Sequence, residues 1–219
     1  MIVAIDGPAG AGKSTIARGV ARKRGWQLVD TGAMYRSVAY YSLKRDVDLE
    51  EEEEVCEVAD SLKFEFRFVD GDNVTYCNGE ALREEIRSPE VSRVASVISA
   101  HPRVRRVLVD QQRRVGNERS SVLEGRDIGT VVFPDADVKI YITAAAEERA
   151  RRRVEQMREQ GQEANYEEVR DEIEARDKRD STREVSPLKK ADDAVEIDTS
   201  KLSIDEVMDK VESLIEDAE

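Results

Sequence analysis

Short apolar runs alternate along this chain with stretches whose apolar residues recur three and four positions apart. Runs at residues 2–5, 27–30, 121–124, 138–143 and 194–198 have the length and composition of buried strands. Most of the intervening stretches carry helical periodicity. The strand–helix–strand alternation predicts an α/β domain with a parallel sheet covered by helices on both faces. A first helix is expected over residues 13–23, with Gly25 as its stop, and a second begins near Thr31. After Ser203, the residues Ile204, Val207, Met208, Val211, Leu214 and Ile215 fall on one face of a last helix, a stripe read as core packing.

Residues 63–85 follow a different period. Phe64, Phe66 and Phe68 alternate with Glu65, Arg67 and Val69 before Asp70-Gly71-Asp72-Asn73 turns the chain. Val74-Thr75-Tyr76-Cys77 then leads to a second turn signal, Asn78-Gly79. A small antiparallel meander inserted into the α/β domain is the expected result. The acidic run at residues 50–54 reads as an exposed helix start, and His101-Pro102 as another helix start. The expected organisation is a core with the beginning of a substrate region over 1–62, an insert over 63–102, and the remaining core over 103–219.

Composition narrows the function. A length of 219 residues suits one globular domain with a small insert. No uninterrupted apolar run reaches bilayer length, and no basic leader precedes the first strand, so a cytoplasmic protein without membrane attachment is expected. The net charge of −13 argues against a nucleic-acid partner. Arginines are nonetheless clustered at Arg103, Arg105, Arg106, Arg113 and Arg114; at Arg149, Arg151, Arg152, Arg153 and Arg158; and at Arg170, Arg176, Arg179 and Arg183. Local arginine within an acidic protein suits a cleft for a small polyanion, although most of these arginines are expected on solvated helix faces. The single histidine excludes a Ser-His-Asp hydrolase and a histidine-rich metal site, and Cys56 and Cys77 lack metal or redox spacing.

The strongest chemical signal is Gly7-Pro8-Ala9-Gly10-Ala11-Gly12-Lys13-Ser14, which fits G-x-x-x-x-G-K-[ST] between a strand and a helix. Such a P-loop offers backbone N–H groups and a helix N-terminus to phosphates, with Lys13 reaching the β- and γ-oxygens and Ser14 ligating Mg²⁺. A second helix N-terminus, at Thr31 with Arg36 one turn inside, follows the second strand as another anion site. Thr31 is also read as a possible N-cap. Glu124 ends the third strand, where a carboxylate positions magnesium through water, and Arg126 and Asp127 follow at the same edge. Arg149 and Arg153 share a helix face, and Arg152 lies on an adjacent one, as suits a lid near 149–165 closing on transferring phosphates. No general base is evident. A nucleoside monophosphate acceptor needs none, because its phosphate is already ionised near neutral pH.

These segments, together with Thr15, Ile128-Gly129-Thr130 and Arg176-Asp177-Lys178-Arg179-Asp180, resemble the bacterial cytidylate kinase family in order along nearly the whole chain. The meander resembles the insert of its longer members. The resemblance implies a P-loop kinase fold: a five-stranded parallel sheet flanked by helices, plus a small antiparallel β insert. It implies transfer of the ATP γ-phosphate to CMP or dCMP with Mg²⁺; a monomer is expected. It assigns Thr31, Arg36, Arg126 and Arg183 to the acceptor phosphate, Arg176 and Asp180 to the ribose, and Ser96, Arg105 and Asp127 to the cytosine edge. Arg152 and its neighbours become the lid, and Lys13, Arg126, Arg152 and Arg183 the catalytic set. Gly7 to Thr15, Arg149 and Arg153 hold ATP. Glu124 stands where the pattern expects Asp. The rivals are an adenylate, guanylate or uridylate kinase and, in another class, a GTPase-like switch, against which stands the absence of an N-K-x-D tetrapeptide.

Overall fold

The computed structural model describes residues 1–159 and 161–219. Its centre is a parallel sheet of β1 (Ile2–Asp6), β2 (Gln27–Asp30), β6 (Ser121–Gly125), β7 (Val138–Thr143) and β8 (Val195–Asp198), in the order β2-β6-β1-β7-β8. The period-two alternation assigns faces. Val3 and Ile5 of β1, Leu28 of β2 and Val122 of β6 point to one layer, where α1 (Lys13–Arg24) and α8 (Ile204–Glu216) add Ile16, Val20, Val207, Val211 and Ile215. Ala4, Val29 and Leu123 point the other way, toward Met34 and Val38 of α2 (Thr31–Lys44) and Leu108 of α5 (Pro102–Gly116). The inner strands β1 and β6 are thus buried on both sides, as a parallel sheet requires, whereas the edge strand β8 buries only Ile197.

The helix ends follow local rules. Gly25 closes α1 in the left-handed conformation, φ 66°, and Ser203 with Glu206 forms a capping box on α8. Asp30 rather than Thr31 caps α2: its carboxylate accepts from Ala33 N, which leaves the Thr31 hydroxyl free for another partner.

The meander forms β3 (Phe64–Val69), β4 (Asp72–Cys77) and β5 (Glu80–Leu82), with tight turns at Asp70-Gly71 and Asn78-Gly79. All four turn residues have positive φ. Asp72 and Asn73, expected in the first turn, already pair across the ladder with Val69 and Phe68. The sheet does not stand apart. Phe64, Phe66, Cys77 and Leu82 join the core beneath α3 (Glu52–Ser61), while Glu65 and Arg67 face water. Helices α4 (Pro89–Ile98) and α5 follow it, with His101 as the N-cap residue of α5. Helices α6 (Ala146–Glu159) and α7 (Tyr166–Thr182) pair through a satellite cluster of Ala150, Val154, Val169 and Ile173. No described helix is long and apolar enough to cross a membrane.

Candidate active site

The sheet order decides which residues meet. Because β6 lies between β2 and β1, Glu124 pairs in register with Asp30 on one side, and Gly125 with Asp6 on the other. Three strand ends therefore deliver Asp6 and the P-loop, Asp30 with the α2 N-terminus, and Glu124 to Asp127 to one edge, where open α/β sheets bind ligands.

Gly7 leaves β1 at φ 146°, and a Cβ there would lie 1.9 Å from the Ile142 carbonyl oxygen, so only glycine lets the loop turn so close to β7. Lys13 is 5% exposed and its Nζ donates to Pro8 O at 2.7 Å across the loop. Burial, reinforced by the nearby Arg126 charge, pushes its pKa well down from the usual lysine range. The Ser14 hydroxyl donates to Glu124 Oε2 at 2.7 Å. Burial and the neighbouring Asp30 charge raise the Glu124 carboxyl to about 7. Thr31 Oγ1 donates to the Glu124 carbonyl at 2.7 Å, tying the two strand ends together.

Arginines brace the loop from the α6 side. Arg149 is buried and donates to Ala9 O and Ala144 O, both at 2.9 Å, while its Nη2 lies 2.6 Å from Asp177 on α7. Arg152 donates to Thr199 O at 2.7 Å, and Thr199 Oγ1 in turn donates to Ala11 O. Arg153 is exposed and bonds Gln156, so Arg149 and Arg152 approach the loop and Arg153 does not. Within the segment expected as a lid, residue 160 lies outside the described residues.

Opposite the loop, the remaining arginines converge. Arg36 pairs with Asp30 Oδ2 at 3.0 Å, and Arg126 Nε with Asp180 Oδ2 at 3.1 Å, with Arg176 Nε 3.9 Å from the same oxygen. Arg105 donates to Asp127 Oδ2, and Arg183 Nη2 lies 3.8 Å from Asp127 Oδ1. Four buried nitrogens of this group have no hydrogen-bond partner: Arg36 Nε, Arg105 Nε, Arg176 Nε and Arg183 Nη2. Burial and the Arg126 charge push Arg176 down to about 10, and burial with Arg105 lowers Arg183. Both remain cations at neutral pH, crowded together. Such an arrangement suits an anion. Ser96 stands at its border, accepting from Arg179 Nε at 3.4 Å.

Sequence reasoning gave no role to two residues here. Asp6 accepts from Ile128 N at 2.8 Å and Gly129 N at 2.7 Å, clasping the segment after Arg126-Asp127 to the P-loop strand. Its only sequence signal is its place directly before Gly7. Tyr35 is buried, with the Arg105 guanidinium 5.5 Å from its ring centre. Its identity as an ordinary-looking helix residue concealed that position.

Residues 3–217 match the cytidylate kinase family model. The chain is 47% identical over 213 residues to the cytidylate kinase of Bacillus cereus and, to the same extent, that of Bacillus thuringiensis, covering 97% of this chain and 95% of each relative. Among solved structures, an uncharacterized protein from Eubacterium ventriosum shares the fold, with a TM-score of 0.54 at 13% identity over 99% of this chain and 98% of that one. A family match over nearly every residue, relatives close to half identical, and a P-loop facing an arginine-lined cleft lead to one conclusion: this chain belongs to the cytidylate kinase family.

Proposed function

We propose that this protein transfers the γ-phosphate of ATP to CMP or dCMP, giving ADP and CDP or dCDP, with UMP a poorer acceptor. The observation that carries the reading is the convergence of Arg36, Arg105, Arg126, Arg176 and Arg183 around Asp30, Asp127 and Asp180 at the sheet edge that also carries the P-loop. A bound nucleotide would bring acceptors to these cations, its phosphate relieving the mutual repulsion of the crowded arginines. In this reading Arg36, Arg126 and Arg183, with Thr31 at the α2 N-terminus, hold the acceptor phosphate, and Arg176 and Asp180 hold the ribose.

The base set has chemical logic. Cytosine presents an N4 amine as donor, with N3 and O2 as acceptors. Asp127 holds one oxygen against Arg105 and keeps lone pairs for the amine, while Arg105 keeps an unpartnered Nε for the acceptor side. Ser96 completes the set from α4.

The donor set also suits Mg²⁺. The Ser14 hydroxyl and Glu124 carboxylate are hard oxygen donors 2.7 Å apart, and a dication beside Glu124 would offset the burial that raises its pKa. The bound ion would neutralise phosphate charge. Lys13 would exchange its bond to Pro8 O for the transferring phosphoryl group, with Arg126, Arg152 and Arg183 adding positive charge. An acceptor phosphate oxygen then bonds to Pγ as the bond from Pγ to the β–γ bridging oxygen breaks and ADP leaves. The residues' work is alignment and suppression of repulsion between polyanions.

The same proposal places the acceptor region over 63–102, the lid near 149–165, and the protein as a monomer in the cytoplasm. A coupled ADP-release assay across the common nucleoside monophosphates tests it. CMP and dCMP should turn over fastest. Faster turnover of AMP or GMP would replace it with another acceptor class, and turnover without any acceptor would favour a hydrolytic switch.

A further inference from the structure

Helix α7 carries Arg176, Asp180 and, as its C-cap, Arg183, the residues proposed for the acceptor nucleotide. Its apolar residues Val169 and Ile173 pack with Ala150 and Val154 of α6 in a cluster separate from the two layers that cover the sheet. Among the described elements, α7 packs closely only against α6. Charged groups therefore set its position over the strand ends. Two such links lie on the acceptor side, Arg126 with Asp180 and Arg183 with Asp127. A third runs to the donor loop. Arg149 Nη2 lies 2.6 Å from Asp177 Oδ2, while Nη1 donates to Ala9 O of the P-loop and Nε to Ala144 O just past β7, both at 2.9 Å. The loop runs close beneath: at Gly10, with φ 76°, an added Cβ would lie 3.3 Å from Arg149 Cβ. The other Asp177 oxygen is buried without a hydrogen-bond partner, so Arg149 is the carboxylate's one ion-pair partner among the described residues.

We infer that Asp177 is a positioning residue: acting through Arg149, it ties the acceptor helix to the P-loop and makes the two nucleotide sites respond to each other. A P-loop grips phosphate through its peptide N–H groups, and fixing those peptides also fixes the Ala9 carbonyl that Arg149 uses. The planar guanidinium, buried and held at three points, passes that order to Asp177. Asp177 follows Arg176 directly and lies about one helical turn before Asp180, so a displacement at Asp177 moves both. A donor-filled loop thereby holds α7 in place for the acceptor, and by linkage the acceptor favours the donor by the same factor. The inference rests on the acceptor reading given above.

Calorimetric titration of CMP, with and without a saturating β,γ-imido analogue of ATP and Mg²⁺, measures the coupling as a ratio of two Kd values. In the wild type the analogue should tighten CMP binding at least about fivefold. In Asp177→Ala the ratio should fall to within about twofold of unity. Arg149→Lys keeps the charge but cannot reach all three partners, and it should lose the coupling to the same extent. Asp177→Asn keeps the shape without the charge. Its ratio should fall at least about twofold below the wild-type value, which decides the matter if the alanine variant does not fold. A purely structural Asp177 would weaken CMP binding equally in both titrations and leave the ratio unchanged, which would overturn the inference. So would a wild-type ratio near one, or full coupling in Arg149→Lys. CMP that failed to bind the wild type in either state would instead refute the acceptor reading, and this inference with it.

Discussion

Asp180→Asn probes the electrostatic state of the cleft before any ligand arrives. Asp180 is 5% exposed, accepts from Arg126 Nε at 3.1 Å and lies 3.9 Å from Arg176 Nε. The amide keeps the shape but removes the one carboxylate placed between two arginines. Breaking a fully buried ion pair costs about 3–5 kcal/mol, because the surviving charge is stranded. Here the Arg126 and Arg176 side chains are 19% and 35% exposed, so water screens part of that cost and about 2 kcal/mol is the better expectation. For a chain of this size that corresponds to a fall in Tm of about 4–8 °C. An added anion should then substitute for the lost carboxylate. Inorganic phosphate, followed by differential scanning fluorimetry, should raise the Tm of the variant more than that of the wild type. A variant Tm within about 1 °C of wild type would show that Asp180 does not hold the arginines against their own repulsion. Equal phosphate stabilisation of both proteins would show that the cleft is not where the anion acts.

Lys13→Ala should lower turnover about 10²–10³-fold for every acceptor, since it removes charge from the transferring group; unchanged turnover in steady-state assays would contradict the P-loop role of this lysine. Asp127→Ala should reduce kcat/KM for CMP more than for acceptors lacking the N4 amine, and a uniform loss would remove Asp127 from base recognition. Asp6 bears on pH dependence: burial raises its carboxyl to about 6, with the Ile128 and Gly129 amides opposing and Asp127 adding to the rise. A raised acid favours the folded state fully below its unfolded value near 3.8, and that contribution is lost as pH rises through about 6. Asp6→Asn cannot ionise, so its stability should fall less than that of the wild type between about pH 4 and pH 7, by an amount on the order of 2–3 kcal/mol. Parallel profiles in thermal melts would refute the burial argument for Asp6.

What could be read from the chain alone was whatever short-range sterics and periodicity control. The five parallel strands, the stop at Gly25, the two hairpin turns and the P-loop each depend on residues within a few positions of one another, and the observed elements follow that reading closely. Asp30 taking the cap from Thr31 is a one-residue difference of the same local kind. Partner choice was not legible. Fourteen arginines stood in three clusters with little to separate those that fold inward from those that face water. Arg149 and Arg153 look equivalent on a helix wheel, yet only Arg149 reaches the P-loop, because α6 packs that turn beside Ala9 and Asp177. Arg105 meets Asp127 across 22 residues and Arg126 meets Asp180 across 54. Those meetings depend on the strand order, which sets β6 between β2 and β1 and aligns their ends. Local sterics act over a turn of chain, whereas charges and cavities are defined by surfaces that do not exist until distant segments touch.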